Sequence, residues 1–264
     1  MDRASYGKLV IKLPFDNTGK LTNFALDSTP FRADADMDLA LLEMVERSNK
    51  IRRSGAFTSE TISFAGGTYI TIQSPDTGRV WLDRNLGATQ VATSSTDAAS
   101  YGDYYQWGRA ADGHESGTST TTAIRATTIT PGTNTFITSA SDWTTADSTG
   151  SSRASAWINA GTNDICPAGF SVPTKAELEA DTINATTTNI TNSATAFSSF
   201  LKIPVAGTRN RMNGALLNDD TTAYLWSRSA DGTFGRSLNV SSGTADFYSN
   251  FRAFGFSVRC IKSL

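Results

Sequence analysis

Tyr224-Leu225-Trp226-Ser227 and, further on, Gly255-Phe256-Ser257-Val258-Arg259-Cys260-Ile261 decide how this chain is read. Both alternate apolar and polar residues, the pattern of half-buried strands. Between them, over residues 227–254, the pattern dissolves. Aromatics (Phe234, Phe247, Tyr248, Phe251, Phe254) and arginines (Arg228, Arg236, Arg252) are scattered among Ser, Gly and Asn with no clean period. That composition suits an adaptable binding surface, where rigid aromatics give contact area at low entropic cost and small polar residues give adjustable hydrogen bonds. Residues 227–261 also contain no Lys, Glu, Gln, Met or Trp, although about three would be expected at average usage. No codon for any of these types ends in a pyrimidine. Diversifying Asn codons at their adenines would yield every other type and never these; chance with a strand-and-turn bias is the alternative.

Upstream, composition narrows the function classes. The 264 residues carry 23 basic and 25 acidic side chains, a formal net charge of −2. With no basic run or helical Lys/Arg stripe, neither nucleic acid nor an anionic membrane surface is expected as the main partner. No apolar run is long enough to span a bilayer, and the N-terminus lacks a charged start followed by an apolar core. Abundant Gly, Ser and Thr and few strong helix formers point to a β-rich α+β chain.

Residues 1–57 read as a separate unit with a strand at Leu9-Val10-Ile11-Lys12-Leu13, a turn at Asp16-Asn17-Thr18-Gly19-Lys20 and a helix over 34–53. The apolar face of that helix is expected to pack on the body or on a sister subunit, giving a homo-oligomer. Its first-turn acids Asp34, Asp36 and Asp38 suit the helix dipole better than a metal. Residues 58–264 form the second unit. Strands are expected at Thr61-Ile62-Ser63-Phe64, Thr68-Tyr69-Ile70-Thr71-Ile72 and Val80-Trp81-Leu82, with turns at Gly66-Gly67 and Pro75-Asp76-Thr77-Gly78. Tyr101, Tyr104, Tyr105 and Trp107 read as core and turn packing. Residues 113–163 read as an ordered insertion pinned by Trp143 and Trp157. His114, the only histidine, reads as an exposed turn residue. It leaves no partner for a His-dependent triad or a multi-His metal site. Pro173-Thr174-Lys175-Ala176-Glu177-Leu178-Glu179 reads as a helix with Thr174 as N-cap and Glu177 completing a capping box.

Several stretches, taken in order, carry a resemblance. They are Val80-Trp81-Leu82-Asp83-Arg84-Asn85-Leu86-Gly87-Ala88, Tyr101-Gly102-Asp103-Tyr104-Tyr105-Gln106-Trp107-Gly108-Arg109, Cys166-Pro167-Ala168-Gly169-Phe170-Ser171-Val172-Pro173-Thr174, Ala206-Gly207-Thr208-Arg209, Leu225-Trp226-Ser227 and the closing Gly255–Cys260 run. Residues 80–262 resemble the C-type-lectin-fold variable proteins of diversity-generating retroelements and the related Fibrobacter succinogenes major paralogous domains. The resemblance does not reach residues 1–57. It implies a C-type lectin-like fold with a variable region at about 209–261, and a binding module rather than an enzyme, with no cofactor and no metal.

The surface it implies comprises Arg228, Asp231, Thr233, Phe234, Arg236, Asn239, Ser242, Asp246, Phe247, Tyr248, Ser249, Asn250, Phe251, Arg252 and Phe254. Trp226, Gly255, Phe256, Val258 and Arg259 would be scaffold, and Cys166 would lie near Cys260. The expected partner is a protein or glycan on a target cell, with no membrane insertion, and the expected carrier a virion tail or receptor-binding component, or else a cell surface or secreted protein. Two alternatives carry less. A formylglycine-generating type enzyme needs two cysteines at its site, whereas Cys166 and Cys260, the only pair, both fall in structural motifs. A calcium-dependent lectin needs converging carboxylate motifs that this sequence lacks.

Overall fold

A computed structural model describes residues 57–264; the strand, turn and helix expected in residues 1–57 lie outside the described residues. From Thr61 the alternating pattern makes a hairpin. β1 (Thr61–Phe64) and β2 (Gly67–Gln73) pair antiparallel, with Phe64 opposite Gly67 across the tight turn. β3 (Val80–Leu82) joins β2 after the Pro75–Gly78 turn. The far end of the chain completes this sheet, whose order is β1-β2-β3-β14-β7 with β7 (Phe170–Ser171) and β14 (Ile261–Lys262). Ile261 sits between Trp81 and Ser171. One residue back, Cys260 is joined to Cys166 by a disulfide with its Cα atoms 6.0 Å apart.

A four-stranded sheet runs in the order β4-β13-β8-β9: β4 (Tyr105–Gln106), β13 (Gly255–Phe256), β8 (Thr208–Arg209) and β9 (Leu216–Leu217). β10 (Ala223–Asp231), β11 (Phe234–Val240) and β12 (Ala245–Phe251) form a three-stranded antiparallel meander. Inside the insertion, β5 (Thr121–Thr122) pairs in parallel with β6 (Phe136–Ile137). Three short helices occur among the described residues: α1 (Ser151–Ala156), α2 (Lys175–Ala180) and α3 (Ser193–Ser198). α2 has the Thr174–Glu177 capping box read from the sequence. The architecture is α+β, β-rich with few helices. No helix among the described residues is long and apolar enough to cross a membrane.

Two apolar clusters hold the sheets together. One gathers Tyr69, Leu82, Trp107, Trp157, Trp226, Phe256 and the disulfide; the other gathers Trp81, Leu178, Ile203, Leu225, Leu238, Val240, Phe247 and Ile261. Two expectations are corrected here. The 255–261 run is not half-buried, since every residue in it is buried. Its polar members are enclosed because their partners are: the Arg259 guanidinium donates to the Leu201 carbonyl at 2.7 Å and to Asn85 Oδ1 at 3.0 Å. His114 is likewise not a surface residue, being 0% exposed. Its Nε2 accepts the Gln106 backbone N–H at 3.0 Å, which places the ring proton on Nδ1, 2.8 Å from Asp112 Oδ1. Burial pushes its pKa down to about 4, so the ring is neutral at ordinary pH.

Candidate recognition surface

Residues 227–251 lack a clean period, yet they form regular strands, because sheet pairing needs only that one side of each strand be apolar. Directly opposed residues share a face. Ala223, Val240 and Ala245 line up across the sheet, as do Leu225, Leu238 and Phe247. These side chains press into the second apolar cluster. The other face carries Tyr224, Asn239 and Asp246 in one row and Trp226, Ser237 and Tyr248 in the next; Trp226 and Ser237 are buried, so this face opens to solvent only toward β12. A register shift after Trp226 frees the far end of β10. There the core-side row runs beyond the core and continues as Asp231, Phe234, Arg236, Ser249 and Phe251.

Polar contacts organise both faces. On the Tyr224 face, Asn250 Nδ2 donates to Ser237 Oγ at 2.8 Å, and Ser237 donates to Asn239 Oδ1 at 2.9 Å. Tyr224 stacks on Phe256 at 4.8 Å, and Phe254 on the same ring at 5.5 Å. At the β10–β11 tip, Asp231 accepts from Arg236 Nη1 at 3.3 Å and from the Ser249 hydroxyl. The Ser249 hydrogen bond, then the Arg236 charge, hold the Asp231 carboxyl below its ordinary range. Grooves flank this tip. One of about 520 Å³ lies between Lys175 and Glu179 of α2 and the Ser229, Asp231 and Arg236 side. Another of about 420 Å³ is lined by Ser148, Thr149, Ala230, Gly232 and Thr233.

Not every expected surface residue is on the surface. Asp231, Thr233, Ser242, Asp246, Tyr248 and Ser249 are exposed, while Phe234, Arg236, Asn239, Asn250, Phe251 and Phe254 are half-buried. Arg228 is half-buried too, but it borders a different groove with Asn159, Glu177 and Ser263. Phe247 and Arg252 are corrections. Phe247 is 6% exposed because its row faces the core. Arg252 is 0% exposed. Its guanidinium reaches the carbonyls of Ser148 (3.0 Å) and Thr149 (2.9 Å) in the insertion and of Gly232 (2.7 Å) at the strand tip. This close fit depends on glycine: a Cβ at Gly235 would lie 2.6 Å from Trp107 Cδ1, beneath the same arginine.

No family model, curated protein or solved structure matches this chain.

The sequence reading missed part of the surface. Arg211 stands 4.5 Å over the Phe251 ring and 5.4 Å over Phe254, and Asn218 donates to the Tyr224 hydroxyl at 3.0 Å. Period-2 reasoning points the wrong way for Tyr224, since it puts that ring on the same strand face as the buried Trp226. Nothing local marks Arg211, Asn218, Lys175 or Glu179 as neighbours of that strand. Asp112, His114 and Glu115 bring possible ligand atoms within 4.8 Å of one another. Both histidine nitrogens are engaged, however, and Arg109 already neutralises Asp112 at 2.9 Å.

Proposed function

We propose that this chain is a recognition protein with a C-type lectin-like fold, in which the exposed residues within 227–254 form a surface open to side-chain diversification. It binds a protein or glycan on a target cell. The observation that carries this reading is how the β10–β11 tip is held. Arg252 grips main-chain carbonyls of Gly232 and Phe234, not side chains. Main-chain carbonyls are the same in every sequence variant, so the tip keeps its position while Asp231, Thr233 and Arg236 change. The core-facing row of Leu225, Leu238, Val240 and Phe247 supplies the fixed half of the sheet, and exposed substitutions elsewhere on it cost little stability. Tyr and Arg anchors amid small polar residues suit tight, specific contact. The disulfide supports display outside a reducing cytosol, on a virion or a cell surface.

A display library with Asp231, Thr233, Arg236, Asp246, Tyr248 and Ser249 randomised tests the reading. Most clones are expected to fold and melt near the parent, and panning on cells should enrich binders. A library in which few clones fold would overturn it.

A further inference from the structure

Among the described residues β12 is the outer strand of its sheet and pairs only with β11, over seven residues without a break in register. Its backbone groups point alternately toward β11 and away from it. The Phe247 N–H donates to the side chain of its neighbour Asp246 at 2.7 Å, so Phe247 turns its amide out of the sheet. The far side of β11 agrees. The carbonyls of Phe234 and Arg236, which sit opposite Phe251 and Ser249, are taken by Arg252 and the Ser227 hydroxyl on the β10 side. By the strand's period of two, Ala245 and Ser249 therefore face outward with Phe247. The Phe251 carbonyl is occupied by the Phe254 N–H at 3.1 Å. Ser249, by contrast, turns both its N–H and its C=O outward, and its side chain is exposed.

Proteins ordinarily blunt such an edge with Pro, Lys, a bulge or a very short strand. β12 has none of these, and Asp246 is its only charge. The edge strand β9, in comparison, is two residues long. We propose that the outer edge of β12 takes an extended polypeptide segment of the target as a fourth strand of the β10-β11-β12 sheet. This rests on the recognition reading for the occupant being foreign: two copies paired through β12 would use up the edge itself and leave no free strand for a target. Sugars do not offer donors and acceptors alternating at strand spacing, so the geometry selects peptide over glycan. Diversification fits this mode. Main-chain bonds supply affinity in every variant, while Asp246, Tyr248 and Asn250 on one face and Ser249 on the other supply specificity.

The test uses linear peptides selected by phage display on the purified full chain. Each selected peptide is resynthesised with single N-methyl groups along its length. Methylation at alternate positions is expected to weaken binding at least ten-fold, with the intervening positions near neutral. Hydrogen exchange at the Ser249 amide should slow when peptide is bound. Ser249→Pro should abolish binding while the fold is retained, since an outward edge N–H is dispensable to the fold; the lost hydroxyl bond to Asp231 lowers the melting temperature only slightly. If that variant misfolds, the peptide-side methyl scan still decides. Equal sensitivity at both parities, no peptide selected, or a dimer in sedimentation that Ser249→Pro dissociates would each overturn the proposal. Library clones that fold and bind cells while their peptides ignore N-methylation would remove this inference and leave the recognition reading standing.

Discussion

The guanidinium of Arg252 lies 4.7 Å from the centre of the Trp107 ring, with the ring's other cationic neighbour, Arg153, at 5.4 Å. The alternation continues: Arg153 is also 5.3 Å from Trp143, and Arg109 is 5.6 Å from Trp143. All five side chains are fully buried. Asp142 closes a fork on Arg153 with two bonds of 2.7 Å, and with Asp112 beside Arg109 and Asp147 beside Arg153 it sets three carboxylates against the three guanidiniums. The stack ties the long insertion to the β10–β11 tip.

Arg252→Ala should therefore behave as a core mutation. It strips donors from buried carbonyls and opens a void beside Trp107, at a cost on the order of 3 kcal/mol or more. Arg252→Lys should recover only part of this, because an ammonium cannot span the same set of carbonyls. Urea unfolding of the two variants checks both statements.

The two sides of β12 should separate cleanly. Tyr248 is 47% exposed and Phe247 6%. Tyr248→Ala is expected to change stability by no more than about 0.5 kcal/mol, and Phe247→Ala to cost about 3–5 kcal/mol. Similar losses in denaturation midpoint for the pair would mean that the outward row is structural after all.

Reducing the disulfide releases a long loop, for its cysteines are 94 residues apart. On the chain-entropy account this should cost about 4–5 kcal/mol. Melting with and without reductant, alongside the Cys166→Ala/Cys260→Ala double variant, measures it. Equal melting temperatures in both conditions would show that the bond adds nothing to the folded state.

Acid stability carries opposing contributions. Burial lowers the His114 pKa from 6.5 to about 4, so the unfolded chain takes up a proton that the folded chain refuses. Stability from this group is full above pH 6.5 and falls as pH drops toward 4, by ~3 kcal/mol in all. Asp103 runs the other way. Burial, then the Glu115 charge, raise it to about 6, so its ionised form strains the fold and lowering pH through 6 relieves that strain. Asp103→Asn should remove the relief and leave a steeper loss of stability between pH 6.5 and 4. His114→Gln should leave the Asp103 contribution unopposed, so that stability rises as pH falls from 6 toward 4. Thermal melts across that range read both slopes.

Much of the scaffold was legible because its signals are local. The β1–β2–β3 turns announce themselves in Gly66-Gly67 and Pro75–Gly78, and Thr174 and Glu177 cap a helix within a single turn. The cysteine pairing came with the resemblance, not from the residues. The failures share a cause, which is distance along the chain. Arg236 and Arg252 look alike in sequence; only the second meets carbonyls of residues 147–149, more than a hundred positions earlier. His114 sits among Asp, Gly and Glu like a surface turn, yet the Gln106 amide and Arg209, which donates to the His114 carbonyl at 3.0 Å, enclose it. α1 and α3, at six residues each, are too short to show a helical period.

The position of the cysteines has a mechanical meaning. β1 and β14 belong to one sheet, and Glu60 and Lys262 at the two ends meet at 3.4 Å. The covalent loop from Cys166 to Cys260 contains α2, α3 and the whole β10-β11-β12 meander. Tension applied between the two ends of the domain crosses from Cys260 to Cys166 through sulfur and never enters that loop. A pull on the two ends of the domain therefore loads its framework and leaves the three-stranded sheet slack.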